Sequence, residues 1–313
     1  MTAPAALTAP PVRTLDELFE RQADAALAIG GAGRSCWNGR IEWLPRPGSD
    51  EPPGVVGIAD WDGTICLSRD SVLRPLARLF TEDPASLSVR RLLEAKLAVS
   101  ILLHEHNHLL VSGDQEHADT EKAWSWPMVV LEEGVTEAFT HAHVDDSIAR
   151  VGLDAVAPHL PMVPIPPTYP AYVPAVQALA QGVGRLTGKP ADEVLRHLNA
   201  QSGAAKYAHL GRMVLEDSGL AGRIPGADRA AAAKRLAEGA RDALARVGEV
   251  TSPDVEEVER HSRRVGRDAV VAIVHGLQSL DERFAGAPAL SACRTRARAR
   301  AAVARRDVRA VAG

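Results

Sequence analysis

The chain is poor in cysteine, with three residues among 313, and these lie far apart in the sequence. An odd number of cysteines without the close spacing of a metal-binding pair argues against a disulfide framework. No basic start followed by an apolar run opens the chain, and no apolar stretch approaches the length that a bilayer requires. We therefore expect a cytoplasmic protein with free thiols and no membrane partner.

The chain also has no large excess of positive or negative charge. The net charge is −4, so a general attraction to nucleic acid is not expected. The segment 294–309 contains seven arginines, but their alternating spacing spreads charge around a helix, and we interpret it as a solvated terminal helix. The hydrophobic share of 46 % and charged share of 24 % are typical of a globular protein with a buried core.

The composition changes along the chain and predicts four parts. We expect a disordered tail over 1–12, an α/β lobe over 13–155, a Pro-rich crossover loop over 156–174 and a helical lobe over 175–313. Short segments rich in β-formers occupy 41–44, 55–59 and 64–68, and an Asp-Gly pair predicts a hairpin between the last two. Helical runs are predicted from Thr14, which resembles a capping-box residue, to Gly30, and over 83–111, 129–146, 173–187, 190–201, 203–217, 227–246, 253–284 and 289–309.

This order of elements predicts an α+β fold that is mostly helical. A small N-terminal sheet precedes the long helical run 83–111, and strand signals stop after about residue 172.

The segment "ILLHEHNHLL" (101–110) concentrates three of the eleven histidines within five positions. His104 and His108 are four residues apart, so on a helix both imidazoles lie on one face and can bind one metal ion. Glu105 lies about 100° around the helix from His104, which places its carboxylate beside the ion rather than on it. There it can accept a proton from a metal-activated water. His106 projects from nearly the opposite face, and we assign it no metal role.

A catalytic zinc usually takes three protein ligands and keeps a fourth position open. Candidate ligands follow in "LEEGVTEAF" (131–139), where Glu133 and Glu137 share one face of a predicted helix. A carboxylate placed behind a ligating imidazole fixes its tautomer and raises its basicity.

His104-Glu105-x-x-His108 followed by a helix with the pattern Glu-Gly-x-x-Glu resembles the gluzincin metallopeptidases, a group of the zincins. The resemblance implies that Glu133 is the third zinc ligand and that Glu137 orients His104. It also implies a zincin-like fold, in which strands 55–68 match the sheet whose edge strand holds extended substrate.

Other ligands remain possible at this stage. Asp114 stands six residues after His108, the place of the third ligand in metzincins. Those enzymes need a glycine three residues after the second histidine, and here that residue is Val111. Further histidines are near in sequence, and His141 continues the face of Glu133 and Glu137, although a polar helix surface is the simpler interpretation; the others are His117 and His143. We expect Glu132, one helical step from Glu133, to be solvated.

The oxyanion formed in peptide hydrolysis needs a donor besides the metal. Related enzymes supply it from a second lobe, and the sequence offers Tyr169, Tyr172, Tyr207, His209 and Arg212 there.

The sequence thus predicts a zinc-dependent hydrolase with Zn²⁺ as cofactor, most simply a metallopeptidase with Glu105 as general base. Two alternatives stay open: a zincin-like enzyme acting on a small molecule, and a non-catalytic interaction protein with a structural metal. The substrate, its cleavage preference and the oligomeric state are not defined by these motifs.

Overall fold

A computed structural model describes residues 9–44, 54–166 and 168–285. The chain forms two compact units that are discontinuous in sequence. The first runs to Glu121 and resumes over Phe139–Pro167, and the second comprises Lys122–Ala138 and the chain from Thr168 onwards. The predicted helix 289–309, Cys293 and the start of the predicted tail lie outside the described residues.

The elements follow one another along the chain in a mostly helical order. They are α1 (Leu15–Gly30), β1 (Arg34–Ser35), β2 (Ile41–Leu44), β3 (Gly57–Ala59), β4 (Ile65–Ser68), α2 (Arg74–Thr81), α3 (Val89–His108), β5 (Leu110–Val111), α4 (Asp119–Lys122), α5 (Trp126–Val151), α6 (Leu153–Val156), α7 (Val173–Thr187), α8 (Ala191–Asn199), α9 (Gly203–Asp217), α10 (Gly226–Leu244) and α11 (Val255–Arg283). The α+β class and its helical character are therefore confirmed.

The first unit contains two small sheets. In the described residues, β2, β4 and β3 form a three-stranded sheet in that order, with β2 parallel and β3 antiparallel to β4. The antiparallel pair is the predicted hairpin, and Gly63 takes the positive φ of 84° that its turn requires. Strands β1 and β5 form a separate antiparallel pair. Strand β3 therefore lies at an edge of the larger sheet.

Helix boundaries follow the local signals at α1 but not at α3, which ends at His108, before β5, rather than at residue 111. Thr14 caps α1 by accepting a hydrogen bond from the backbone N–H of Glu17, and Gly31 ends the helix in the left-handed conformation. Helix α3, however, begins at Val89, where Ser88 is the N-cap, and not at Asp83. The chain over Pro84–Ser86 instead forms a short 3₁₀ turn. Asp83 followed by Pro84 is also a sequence typical of a helix start, but the cap is Ser88, which lies closer to the apolar run.

The core of the first unit is built on α3, with apolar side chains of α1, the sheet and the second half of α5 around it. Its largest fully buried members include Leu18, Ile65, Leu67, Leu76, Leu79, Leu102 and Leu103. Val12, which falls in the predicted disordered tail, is also part of this core.

A buried lysine fastens the Pro-rich passage to this core. Lys96 on α3 is 3 % exposed, and its Nζ donates to the carbonyls of Pro161 and Val163 at 2.9 and 2.8 Å. The same ammonium pairs with Asp145 at 2.6 Å. All three of its donors are thus used, which is what a buried charge requires. The passage is irregular, as its prolines predict, but it is anchored by side-chain contacts.

The second unit is a helical assembly in which α7 packs on α8 and α11, and α10 on α9 and α11. Glycines allow the closest approaches: a Cβ at Gly266 of α11 would lie 2.8 Å from the carbonyl carbon of Ala175 on α7. Among the helices that the structure describes, none is long and apolar enough to cross a membrane.

Candidate metal centre

Helix α3 carries the histidine motif in its last turns. The residues from His104 to His108 are all buried, with exposures between 0 and 8 %. The Nε2 atoms of His104 and His108 are 3.0 Å apart, and their rings meet at 76°. The four-residue spacing therefore brings the two imidazole nitrogens together as the sequence predicts.

Glu133 joins these two histidines. One ligand atom from each of His104, His108 and Glu133 lies within 4.8 Å of the other two. Helix α5 holds Glu133 by its continuity from Trp126 to Val151. Two turns after Glu133, the Thr140 hydroxyl accepts a 2.9 Å hydrogen bond from the side-chain amide of Asn107, so α5 is tied to the middle of the histidine motif.

The donor set fits a zinc ion. Two imidazole nitrogens bound to one tetrahedral zinc at 2.0–2.1 Å are about 3.3 Å apart, close to the 3.0 Å between His104 and His108. That distance also suits a hydrogen bond between two rings, so the histidines alone do not distinguish a metal site. The converging carboxylate of Glu133 adds a third donor, and two imidazoles with one carboxylate are a common set in catalytic zinc sites.

Glu105 is held against the edge strand of the sheet. Its side chain is 5 % exposed, although a carboxylate normally seeks water. A Cβ built on Gly57 of β3 would lie 2.9 Å from Cγ and Cδ of Glu105, and closer still to its Oε1. The carboxylate thus fills the space that a side chain at residue 57 would need. Gly57 was not predicted from the sequence as part of the site, although a glycine inside a strand often marks a close approach.

Glu137 lies one turn after Glu133 on α5 and is 7 % exposed. Its Oε1 accepts a hydrogen bond from the hydroxyl of Thr168. This contact holds the carboxylate in one orientation, as expected of a residue that supports a metal ligand. Its action on His104 stays a prediction.

The candidate oxyanion donors differ in their hydrogen bonds and in their surroundings. The Tyr207 hydroxyl donates to the carbonyl of Pro127 at 2.8 Å and is engaged in packing. His209 stacks on His197, and burial, with the charges of Arg212 and His197, lowers its pKa to about 4. It is therefore neutral at pH 7.

Tyr172 is the candidate whose pKa responds to the charge of Glu133. Burial, and then the charge of Glu133, raise the pKa of its phenol. A Cβ on Gly134 would lie 3.2 Å from the backbone oxygen of Tyr172, which shows how closely the two segments pack. The ring contacts Trp126 on one side and Tyr169 on the other. Tyr169 has a φ of 52°, the one positive φ outside glycine among the described residues.

The rival ligands lie elsewhere. Asp114 is exposed in the turn after β5 and is not part of the cluster of His104, His108 and Glu133. His141 is exposed with its Nε2 3.4 Å from the carbonyl of Ile165.

The remaining histidines are engaged by neighbours of their own. His143 packs on Phe139 and lies 3.4 Å from Asp146. His117 stacks on Trp61.

The expectation that Glu132 is solvated was wrong. Its side chain is buried, with 3 % exposure, and pairs at 2.7 Å with Lys206, which is itself 1 % exposed. The Nζ of Lys206 also donates to the carbonyl of Gln201 at 2.7 Å. Successive residues of a helix are about 100° apart, so Glu132 points away from Glu133. It meets the buried Lys206 there, a contact that spacing along one helix does not reveal.

His106 supports the site by packing and yields a prediction about acid stability. It is 1 % exposed, its ring meets Trp37 edge-on at 5.1 Å, and neither ring nitrogen has a hydrogen-bond partner in the described part of the chain. Burial lowers its pKa from 6.5 to about 3. As the pH falls below 6.5 the unfolded chain binds a proton that the folded chain does not, so folding stability decreases.

We expect His106 to lower the unfolding free energy by about 1.4 kcal/mol for each unit that the pH falls between 6.5 and about 3. His106→Leu should remove this loss. Urea unfolding of zinc-free wild type and variant at pH 7 and pH 5 measures the difference. Parallel declines in both proteins would show that His106 is not buried in neutral form.

No protein-family model matches the chain, and neither a curated protein nor a solved structure is significantly similar to it.

Proposed function

We propose that this protein is a zinc-dependent hydrolase, and most simply a metallopeptidase with a zincin-like first unit. The observation that carries the proposal is the convergence of His104, His108 and Glu133 within 4.8 Å. The buried carboxylate of Glu105, one residue along the same helix, supports a catalytic rather than structural metal, since a structural site has no need of a base.

In this proposal His104, His108 and Glu133 hold the zinc ion, which when bound polarises the scissile carbonyl and acidifies the attacking water. Glu105 takes the proton of the attacking water and passes it to the leaving amine. Tyr172 is the proposed donor to the oxyanion, because its phenol is close enough to Glu133 for that charge to add to burial in raising its pKa.

The edge strand favours a peptide as substrate. The backbone N–H of Asp60 donates to Thr64 and that of Ser68 to Val56, so the even-numbered residues of this segment pair with β4. The backbone groups of Gly57 and Ala59 therefore point away from β4, where no described strand pairs with them, and the carbonyl of Ala59 there lies 3.3 Å from the Nε2 of His117. An extended peptide could add here as a further strand, directly beside Glu105.

The test is hydrolysis of a peptide library by zinc-loaded protein, with a chelated sample and Glu105→Gln as the two controls. We expect cleavage only in the loaded wild type. Cleavage that survives chelation and the Glu105→Gln change would refute the proposal. Zinc-dependent turnover of small esters or amides, without peptide cleavage, would show that the substrate is a small molecule and not a peptide.

The third ligand gives a separate prediction. Glu133→Ala should weaken zinc binding far more than Asp114→Ala, because Glu133 converges on the histidines whereas Asp114 is exposed. Glu137→Ala should weaken it by about 10- to 100-fold, the usual effect of losing a residue that supports a ligand. Competition titrations with a zinc chelator rank the three variants. A larger loss for Asp114→Ala would replace the gluzincin-like site with a metzincin-like one.

A further inference from the structure

Gly57 is a glycine at a position where the backbone does not need one. Its φ is outside the positive range in which glycine is favoured, and it is the first residue of strand β3, an element in which glycine is disfavoured relative to residues with a side chain. Residues 57 and 59 point their Cβ positions to the same side of the strand. Ala59 on that side packs against the core of the first unit. A side chain at residue 57 would therefore be expected on grounds of packing.

What occupies that space is Glu105. A Cβ on Gly57 would lie 2.9 Å from both Cγ and Cδ of Glu105, closer than real Cβ atoms approach other atoms. Glu105 is 5 % exposed, so its carboxylate has little room to move aside. The backbone of Gly57 and the side chain of Glu105 are thus in direct contact.

We propose that Gly57 is a positioning residue, whose missing side chain sets where the carboxylate of Glu105 sits. The proposal rests on the proposed role of Glu105 as general base. The strand edge and the base are then fixed to each other through one contact. A substrate backbone that pairs with β3 at Gly57 is consequently placed at a fixed distance from the group that moves the proton.

The variant Gly57→Ala tests this directly, since alanine suits the backbone and the three nearest atoms that its Cβ meets all belong to the side chain of Glu105. We expect full zinc content, a small change of KM and a fall in kcat of about 10²-fold, the order that a misplacement of about 1 Å can cause. Gly33→Ala is the matched control, because a Cβ there meets its nearest atoms at an ordinary 3.7 Å. That variant should keep the kcat of the wild type.

A shorter base should restore part of the activity. Glu105→Asp withdraws the carboxylate by one methylene, which relieves part of the overlap with the methyl group of Gly57→Ala: the Cδ and Oε1 positions are vacated, whereas the Cγ position stays filled. Glu105→Asp should therefore cost more activity in the wild type than in the Gly57→Ala background. Equal costs in both backgrounds, or a Gly57→Ala variant with the kcat of the wild type, would overturn the proposal.

A stability measurement on the zinc-free protein needs no substrate and separates this proposal from the proposed function. Gly57→Ala should lower the Tm by about 2 °C or more when Glu105 is present. In the Glu105→Ala background, where the clash is removed, the same change should leave the Tm unchanged or raise it. The same Tm shift in both backgrounds would contradict the contact, whatever the protein hydrolyses.

Discussion

Glu105→Gln should abolish most turnover while leaving the zinc site intact. Glutamine keeps the size and polarity of the side chain but cannot accept a proton. Since Glu105 is placed beside the cluster and is not one of its three converging ligands, zinc content and folding should be unchanged. The rate should fall by at least the roughly 10²–10⁴ that general acid–base catalysis contributes. Because one carboxylate serves both proton transfers, the loss should lie at or above the upper end.

The measurement compares kcat/KM for wild type and Glu105→Gln at matched zinc content, on a peptide found in the library screen. Glu121→Gln, a change of the same chemistry at an exposed position, is the control and should have the activity of the wild type. Equal activity of Glu105→Gln and wild type would mean that Glu105 moves no proton. A loss of zinc in Glu105→Gln would make Glu105 a ligand instead.

The second large effect concerns the metal itself. Purified protein should contain about one zinc per chain, because two imidazoles and one carboxylate on helices form a site that is ordered before the metal binds. The double variant His104→Ala/His108→Ala should contain almost none, since one remaining carboxylate cannot hold zinc against water. Elemental analysis after dialysis gives both values directly.

The matched control is His141→Ala/His143→Ala, which also removes two histidines from the helix that carries Glu133 but changes none of the three cluster residues. It should keep its zinc. If the His104→Ala/His108→Ala protein binds as much zinc as this control, the metal is held elsewhere. Thermal unfolding of all three proteins with and without a chelator shows whether zinc stabilises the fold, as binding to the native state alone would require.

Local chemistry made much of the fold predictable. The bounds 173–187 and 203–217 match α7 and α9, because helix periodicity and the neighbouring Pro, Gly and Ser residues act within a few positions. Strands 41–44 and 64–68 were predictable because short segments rich in β-formers are also a local signal. The start of α3 was not, since two residues that can cap a helix, Asp83 and Ser88, stand close together in the sequence, and Ser88 is the N-cap.

The candidate metal cluster was predictable in part because its first two members lie four residues apart on one helix. The addition of Glu133 depended on a resemblance in motif, and the structure brings that residue to the histidines. The role of neighbours such as Gly57 and Thr168 was not predictable, because they meet Glu105 and Glu137 only through tertiary packing. Burial of Glu132 against Lys206 escaped prediction for the same reason.

The position of β3 at a sheet edge has a consequence for solubility. A strand edge that must admit a substrate can also pair with the same edge of another molecule, which is a common route to aggregation. Here β3 has only three residues, and the Nε2 of His117 lies 3.3 Å from the carbonyl oxygen of Ala59. An imidazole N–H at that position covers one of the outward backbone groups that a neighbouring copy would use. Lengthening β3 to tighten substrate binding would therefore also increase self-association.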